Sequence, residues 1–189
     1  MQSTTQKQIA AAFKTLMLNV PFKQISVTLI MQQAQLRRQT FYDYFKDKYD
    51  LLAWIFNTEA GADLAENLDY EHWTSSLLDL LRYLAANRLF YRNALATSEQ
   101  NSFDRYFLAH TKHLTDKVVH DLLQTKNIPL TGAYLSFLRE YFSRAVVSVI
   151  IHWLQSNRPA TPEYLSHQLQ TVIEDTISGF LNRVQKEAD

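Results

Sequence analysis

SVTLIMQQAQLRRQTFYDYF, residues 26–45, decides the fold of this chain. It divides into two short helices around a tight turn. Ser26 is a good N-cap, because its hydroxyl can accept from a free backbone N–H of the first turn. Val27, Ile30, Met31 and Ala34 then share one helical face. A turn at Gln35 and Leu36 leads into a second helix from Arg37 to about Tyr44. Phe41 and Phe45 lie four apart and point inward. That leaves Arg37, Arg38, Gln39 and Thr40 at the leading end of the second helix. This is the arrangement of a helix-turn-helix that enters the major groove of double-stranded DNA.

The chemistry of those positions fits the task. Arginine pairs bidentately with guanine, glutamine with adenine, and threonine touches the thymine methyl. Each good bidentate pair is worth about 1–3 kcal/mol of discrimination. The hydroxyls of Tyr42 and Tyr44 suit phosphate oxygens. Lys46 and Lys48 flank the next helix start, where backbone N–H groups also favour anions. Ser26 and Thr28 do the same at the start of the first helix. Charge agrees: residues 1–50 carry seven Lys or Arg against three Asp, a net +4. The whole chain is neutral, so the remainder is −4. A basic head on an acidic body is expected when one end meets phosphate.

Around this stretch the chain reads as helix throughout. Its 189 residues include only 3 Gly and 4 Pro, so breakers are few, and 47% apolar residues provide for a core. Thr5 and Gln8 fit a capping box for a first helix to about Asn19. Pro21 and Phe22 end it. Asp47 caps a fourth helix with Leu51, Leu52, Ile55 and Phe56 inward, expected to end between Gly61 and Leu68. The spacing gives an all-α protein of about nine helices. A three-helix head with the helix-turn-helix occupies residues 1–50, and a helical body occupies residues 51–189.

In the body, Asp69 caps a helix from Tyr70 to about Ala86. Arg88–Ala96 is short, and Phe103–Leu123 is long. Two long helices close the chain, Ala133–Ser156 and one started by Thr161-Pro162-Glu163. The loops between them are expected at residues 98–102 and 125–132. The closing pair is apolar over more than one face, through Val146, Ile150, Trp153, Leu169, Val172, Ile173, Ile177 and Phe180. Two readings stay open. These residues lie inside the monomer core, or Val146, Ile150, Trp153, Leu169, Ile173, Ile177 and Phe180 meet a second copy as a four-helix bundle.

Other function classes find little here. With no cysteine, disulfides, thiolate nucleophiles and zinc–thiolate sites are excluded, which is compatible with a reducing cytoplasm. MQSTTQKQ has no apolar core of a secretory signal, and AVVSVIIHWL is too short to span a bilayer, so no membrane partner is expected. His110, His113 and Asp116 share a face at metal-ligand spacing, but an exposed polar stripe explains them without an ion. No phosphate loop, G-x-S-x-G or H-E-x-x-H occurs. No catalytic residue, cofactor or metal is expected.

Residues Ile9–Phe56 resemble the head of the tetracycline-repressor (TetR) family of bacterial regulators. The matching pieces are Ile25-Ser26-Val27, Ile30, Ala34, Thr40-Phe41-Tyr42, Tyr44-Phe45 and Lys46-Asp47-Lys48 before Leu51. The resemblance implies a homodimer on a palindromic operator, acting as activator or repressor, and assigns regulation and dimerisation to the body, residues 51–189. It carries base and phosphate contacts to Arg38, Gln39, Thr40 and Tyr42, and a phosphate contact to Lys48. It also implies an effector site among the middle helices, for which the aromatics Trp73, Phe107, Tyr134, Phe137 and Tyr141 are candidates. IMQQAQLRRQTFYDYF with LLAWIF and LLRYLAANRLFY looks like regulators of dihydroxyacetone kinase operons in Gram-positive bacteria. That subgroup implies an activator with a kinase-subunit-like co-regulator protein in place of a small-molecule effector. Two positions depart from the family. Gln35 stands where glycine is usual, and Arg37 where a serine caps the recognition helix, a loss of about 1 kcal/mol. These departures leave open a helical ligand- or protein-binding module that has lost DNA binding.

Overall fold

The computed structural model describes residues 3–61, 69–96, 103–125 and 133–188, and among them it holds nine α-helices and no strand. The expected loops at 98–102 and 126–132, and the end of the fourth helix beyond Gly61, lie outside the described residues.

Helix α1 spans Thr4–Met17. Its capping box begins two residues earlier than Thr5 and Gln8. Ser3 Oγ accepts from Thr5 N at 3.2 Å, and Ser3 N donates to Gln6 Oε1 at 3.0 Å. Gln8 is used elsewhere: its Nε2 donates to Ala34 O at 2.8 Å, tying α1 to the end of the next helix. A 3-10 turn, Phe22–Gln24, follows Pro21. Helix α2 is Val27–Gln33, with Ser26 Oγ accepting from Leu29 N at 3.1 Å. Helix α3 is only Arg38–Tyr42, and α4 is Lys48–Phe56. Asp47 Oδ1 caps α4 by accepting from Tyr49 N and Asp50 N, both at 2.8 Å. A π-helical turn, Asn57–Gly61, extends α4 into the body.

The turn between α2 and α3 is a Schellman motif. Leu36 N donates to Met31 O at 3.0 Å and Gln35 N to Gln32 O at 3.1 Å, so two orphan carbonyls of α2 are satisfied. The motif requires a left-handed residue between them, and Gln35 takes that place at φ 56°. The turn is therefore built in full without glycine, with the steric cost carried by the Gln35 Cβ.

Five helices form the body: α5 Trp73–Ala86, α6 Arg88–Ala94, α7 Phe103–Thr125, α8 Ala133–Gln155 and α9 Pro162–Ala188. Helix α5 starts at Trp73, three residues after the expected Tyr70. Asp69 Oδ1 takes the N–H groups of Glu71 and His72 in a turn that precedes the helix. Helix α7 packs on α8 and α4, α9 packs on α5, and α6 bridges α1 and α8. Arg88 closes the C-terminus of α8, donating to Leu154 O at 2.8 Å and to Ser156 O. Thr161 Oγ1 caps α9, accepting from Tyr164 N at 3.2 Å.

Head and body share one core. Ile9, Phe13, Phe41, Leu51 and Ile55 continue into Leu81, Phe90, Tyr91 and Phe107 without a break. At the junction, Phe56 stands edge-on to Tyr91, Phe103, Tyr106 and Phe107 at 5.6–6.1 Å between centroids.

Replacing Gln35 with glycine removes a left-handed penalty of about 1–2 kcal/mol and adds roughly 0.5–1 kcal/mol of unfolded-chain entropy. Gln35→Gly should therefore raise urea-unfolding stability by up to about 1 kcal/mol. A midpoint lowered at constant m-value, by the entropy cost of glycine alone, would show that the turn carries no strain.

Candidate nucleic-acid interface

Helix α3 is anchored by its back and bare in front. Phe41 and Phe45 are buried, their rings 5.6 Å apart, and Trp54 of α4 packs on Phe45 at 5.6 Å. With these in place, Arg37, Arg38, Gln39 and Tyr42 are exposed along one surface, with Thr40 half-buried beside them. Arg37 occupies the N-cap position, and no side chain caps α3. Arg38 lies over the Tyr42 ring, its guanidinium carbon 5.6 Å from the centroid, and donates to Tyr42 Oη at 3.1 Å. The pair holds the arginine along the helix. Ser26, Thr28, Tyr44 and Lys46 are exposed around this surface. Ser3 Oγ is 3.5 Å from Tyr44 Oη, and Lys46 N donates to Asp50 Oδ2 at 3.0 Å.

Lys48 departs from the expected phosphate contact. Its ammonium turns inward and donates to Phe22 O at 2.8 Å, Ile25 O at 3.0 Å and Lys23 O at 3.4 Å. It also sits 4.4 Å above the Phe22 ring. An ammonium has three N–H donors, and these carbonyls take all three. The reason is the irregular link between α1 and α2, whose short 3-10 turn leaves carbonyls with acceptor capacity to spare. The other side of that link is held from the body. Asn93 of α6 donates through Nδ2 to Met17 O at 2.8 Å and Val20 O at 2.7 Å, and its Oδ1 accepts from Phe22 N at 2.8 Å. Nothing in the Asn93 sequence context marks it; only the fold brings it to the link.

A second polar chain crosses the junction. Lys14 pairs with Glu59 at 2.6 Å, Tyr83 donates to Glu59 Oε2 at 3.0 Å, and the Tyr83 and Tyr91 hydroxyls meet at 2.8 Å. Burial raises the pKa of both phenols, keeping them protonated as donors. His110 stacks on Tyr106 and stands 5.3 Å from the Phe56 ring, with Nε2 buried and unpartnered. Burial lowers its pKa, and neighbouring His113 lowers it further. Asp116, assigned to the same polar stripe, pairs with Arg139 at 3.2 Å.

The body holds a half-open cavity of about 180 Å³ between α5, α7, α8 and α9. Of the five aromatic candidates for an effector wall, only Trp73 lines it. Phe107 is core, stacked on Phe103 at 5.7 Å. Tyr134, Phe137 and Tyr141 are exposed on the outside of α8. The wall is mostly aliphatic, with Trp73, Phe142 and Phe180 among it, and aliphatic positions at helical spacing look the same in a packed core. The residues expected at a dimer contact have these places within the single chain. Val146, Ile150, Ile173, Ile177 and Phe180 line the cavity, Trp153 is buried with its indole N–H on Ala160 O at 2.7 Å, and Leu169 packs on the core. The apolar breadth of α8 and α9 surrounds an internal space. Their outward apolar surface is Tyr134, Phe137 (60% exposed), Tyr141 and Val149 on α8, with Tyr164 and Val172 (62% exposed) on α9.

Comparison with known proteins gives a consistent set of relatives. Residues 71–175 match the TetR-type family model described as a transcriptional regulator C-terminal region. The chain is 39% identical over 145 residues to the HTH-type dhaKLM operon transcriptional activator DhaS of Lactococcus lactis subsp. lactis, covering 77% of this chain and 76% of that protein. A solved structure of a dihydroxyacetone kinase operon activator DhaS superposes with a TM-score of 0.71 at 36% identity, covering 93% of this chain and 97% of that one. The fatty acid degradation regulator FadR from Bacillus halodurans shares the fold alone, with a TM-score of 0.63 at 17% identity over 91% of this chain and 95% of that one. Among the described residues no helix is long and apolar enough to cross a membrane.

Lys48→Met keeps the aliphatic stem and removes the charge-assisted hydrogen bonds, each class worth about 1.5–3 kcal/mol. Thermal stability should fall, while the salt slope of DNA binding stays unchanged. Lys46→Ala should do the reverse, reducing that slope by about 1. A reduced slope in Lys48→Met at unchanged stability would return Lys48 to the phosphate-contact role.

Proposed function

The chain belongs to the TetR family of transcriptional regulators, and from that premise we propose that it reads operator DNA as a homodimer and takes its signal in the helical body. The observation that carries this reading is the surface of α3, where Arg37, Arg38 and Gln39 stand exposed over a back face anchored by Phe41 and Phe45. Gln39 reads an adenine edge. Arg38, released from Tyr42, reaches guanine or phosphate. Thr40 touches a thymine methyl. Ser26, Thr28, Tyr42, Tyr44 and Lys46 contact the backbone on either side, and Arg37 offsets its missing cap by meeting phosphate. The L. lactis relative is named as an activator of the dhaKLM operon. By that likeness we assign this chain to activation of a dihydroxyacetone-utilisation operon in the cytoplasm.

A module without DNA binding was suggested by the missing glycine at the turn and the missing serine cap of α3. The completed Schellman motif at Gln35 answers the first, while Arg37 leaves α3 without a side-chain cap. Dimerisation falls to the outward aromatic face of α8 with Val172 of α9, because the other apolar residues of the pair face the cavity. Two α3 helices in such a dimer would lie about 34–36 Å apart, one turn of DNA.

Gel shifts on the upstream DNA test the reading. Gln39→Ala should cost about 1–3 kcal/mol on the preferred operator and flatten the preference between base-substituted sites. A uniform loss across all sites would assign Gln39 to the backbone. No binding by the wild type, alone or with a candidate co-regulator, would remove the DNA-reading proposal itself.

The assembly has its own test. Phe137→Glu places a charge on the proposed self-contact. Sedimentation should show monomers, and operator affinity should fall by tenfold or more, about 1.4 kcal/mol. A dimer that survives Phe137→Glu and Val172→Glu together would place the contact elsewhere.

A further inference from the structure

The cavity is bounded on four sides by hydrocarbon, with Leu80 of α5, Leu114 of α7, Phe142 of α8 and Ile177 of α9 facing one another. No charged side chain lines it among the described residues. Its polar side chains are the hydroxyls of Ser76, Thr111, Thr115 and Thr176 and the indole of Trp73, and Thr111 and Thr115 lie one turn apart on α7. The buried Ser143 gives its one hydroxyl proton to Arg139 O at 2.7 Å, so Thr115 Oγ1 donates to Ser143 Oγ at 3.2 Å and offers a ligand its lone pairs. A space of about 180 Å³ matches one small ring or a short alkyl chain. A comparable engineered void of about 150 Å³ with an aliphatic wall stays dry and takes benzene. Left empty, such a void costs stability in proportion to its volume.

We propose that this cavity is a binding site for a small, uncharged, predominantly apolar molecule with at most one or two neutral oxygens, which Thr111 and Thr115 meet. A carboxylate or ammonium here would be buried without a counter-charge. A three-carbon polyol or hydroxyketone would exchange water for a wall that is mostly hydrocarbon, with few polar groups to replace its hydration. The signal read at this site is thus chemically distinct from the substrate for which the relatives' operon is named. The same helix carries the consequence. Thr111, Leu114 and Thr115 face the cavity, while Phe103, Phe107 and His110 of α7 press on Phe56 of α4. Only this consequence rests on the regulator reading; the binding does not.

The test uses the full chain with toluene, p-cresol, benzoate and glycerol as probes. Thermal unfolding should rise by roughly 2–4 °C or more with saturating toluene or p-cresol and stay fixed with benzoate and glycerol. Leu114→Phe and Ile177→Phe fill the space from different helices, and whichever keeps wild-type circular dichroism should lose the toluene response. Thr115→Val should weaken p-cresol more than toluene. No response to either neutral probe, an equal response to benzoate, or a toluene response that survives in the filled variants would overturn the site. The same toluene titration on the operator complex separates the two ideas. A shift in DNA affinity of about fivefold or more supports control through α7. Toluene binding with unchanged DNA affinity keeps the site and removes that control.

Discussion

The link between α1 and α2 is the constraint on which the rest depends. Beyond the bonds of its 3-10 turn, among them Ile25 N to Phe22 O at 3.1 Å, its irregular backbone leaves carbonyls to be paired by side chains, and buried backbone groups left unpaired are costly. Two side chains from opposite directions satisfy them. Lys48, on the first turn of α4, takes the carbonyls of Phe22, Lys23 and Ile25, and Asn93, on body helix α6, takes those of Met17 and Val20 and the N–H of Phe22. The angle at which α2 and α3 leave the body is set by where these two groups stand. A shift of α6 relative to α4 would stretch one set of bonds, so the head follows the body and does not swing freely from it.

The packing around this link makes the coupling stiff. Phe13 of α1 meets Phe90 of α6 edge-on at 5.8 Å, and Phe56 of α4 fills the ring cluster from α6 and α7. Lys14, Glu59, Tyr83 and Tyr91 add a polar line from α1 through the π turn to α5 and α6. The π turn admits α7 closely: a Cβ on Gly61 would lie 3.3 Å from the His110 ring and 2.8 Å from Asn57 Oδ1. A close-packed contact of this kind moves as a unit and does not deform gradually. The division at residue 50 therefore marks a change of role along a continuous core.

What could be read in the sequence follows from the range of the interaction concerned. Ser26, Asp47 and Thr161 act on backbone two or three residues away, and each is found as a cap. Gln35 stands out because a turn of that shape needs a left-handed residue. Phe41 and Phe45 are inward by spacing alone. Lys48 and Asn93 were beyond reach because their partners lie 23–26 and 71–76 residues away. Thr5 and Gln8 were mistaken for the cap because Ser3 and Gln6 offer the same pattern two residues earlier. The closing helices were harder still. Periodicity identifies Ile150, Ile173 and Ile177 as apolar, but a packed core, a cavity wall and a subunit contact all ask for the same residues at the same spacing. Aromatic content points to α8 for the effector wall, and there Tyr134, Phe137 and Tyr141 face outward while Phe142 joins an inner face that is otherwise mostly aliphatic.

That inversion bears on how such a body can respond. A rigid aromatic wall would hold its shape whether filled or empty. A wall of leucine, valine and isoleucine has several staggered rotamers available and closes partly when empty. Any closure must move α7, because α7 supplies the cavity wall and also the Phe107 and His110 contacts to α4. Among the described residues His110 Nε2 is buried beside this contact without a hydrogen-bond partner. One helix thus carries both the cavity wall and the packing on α4, and close packing passes a displacement of one to the other.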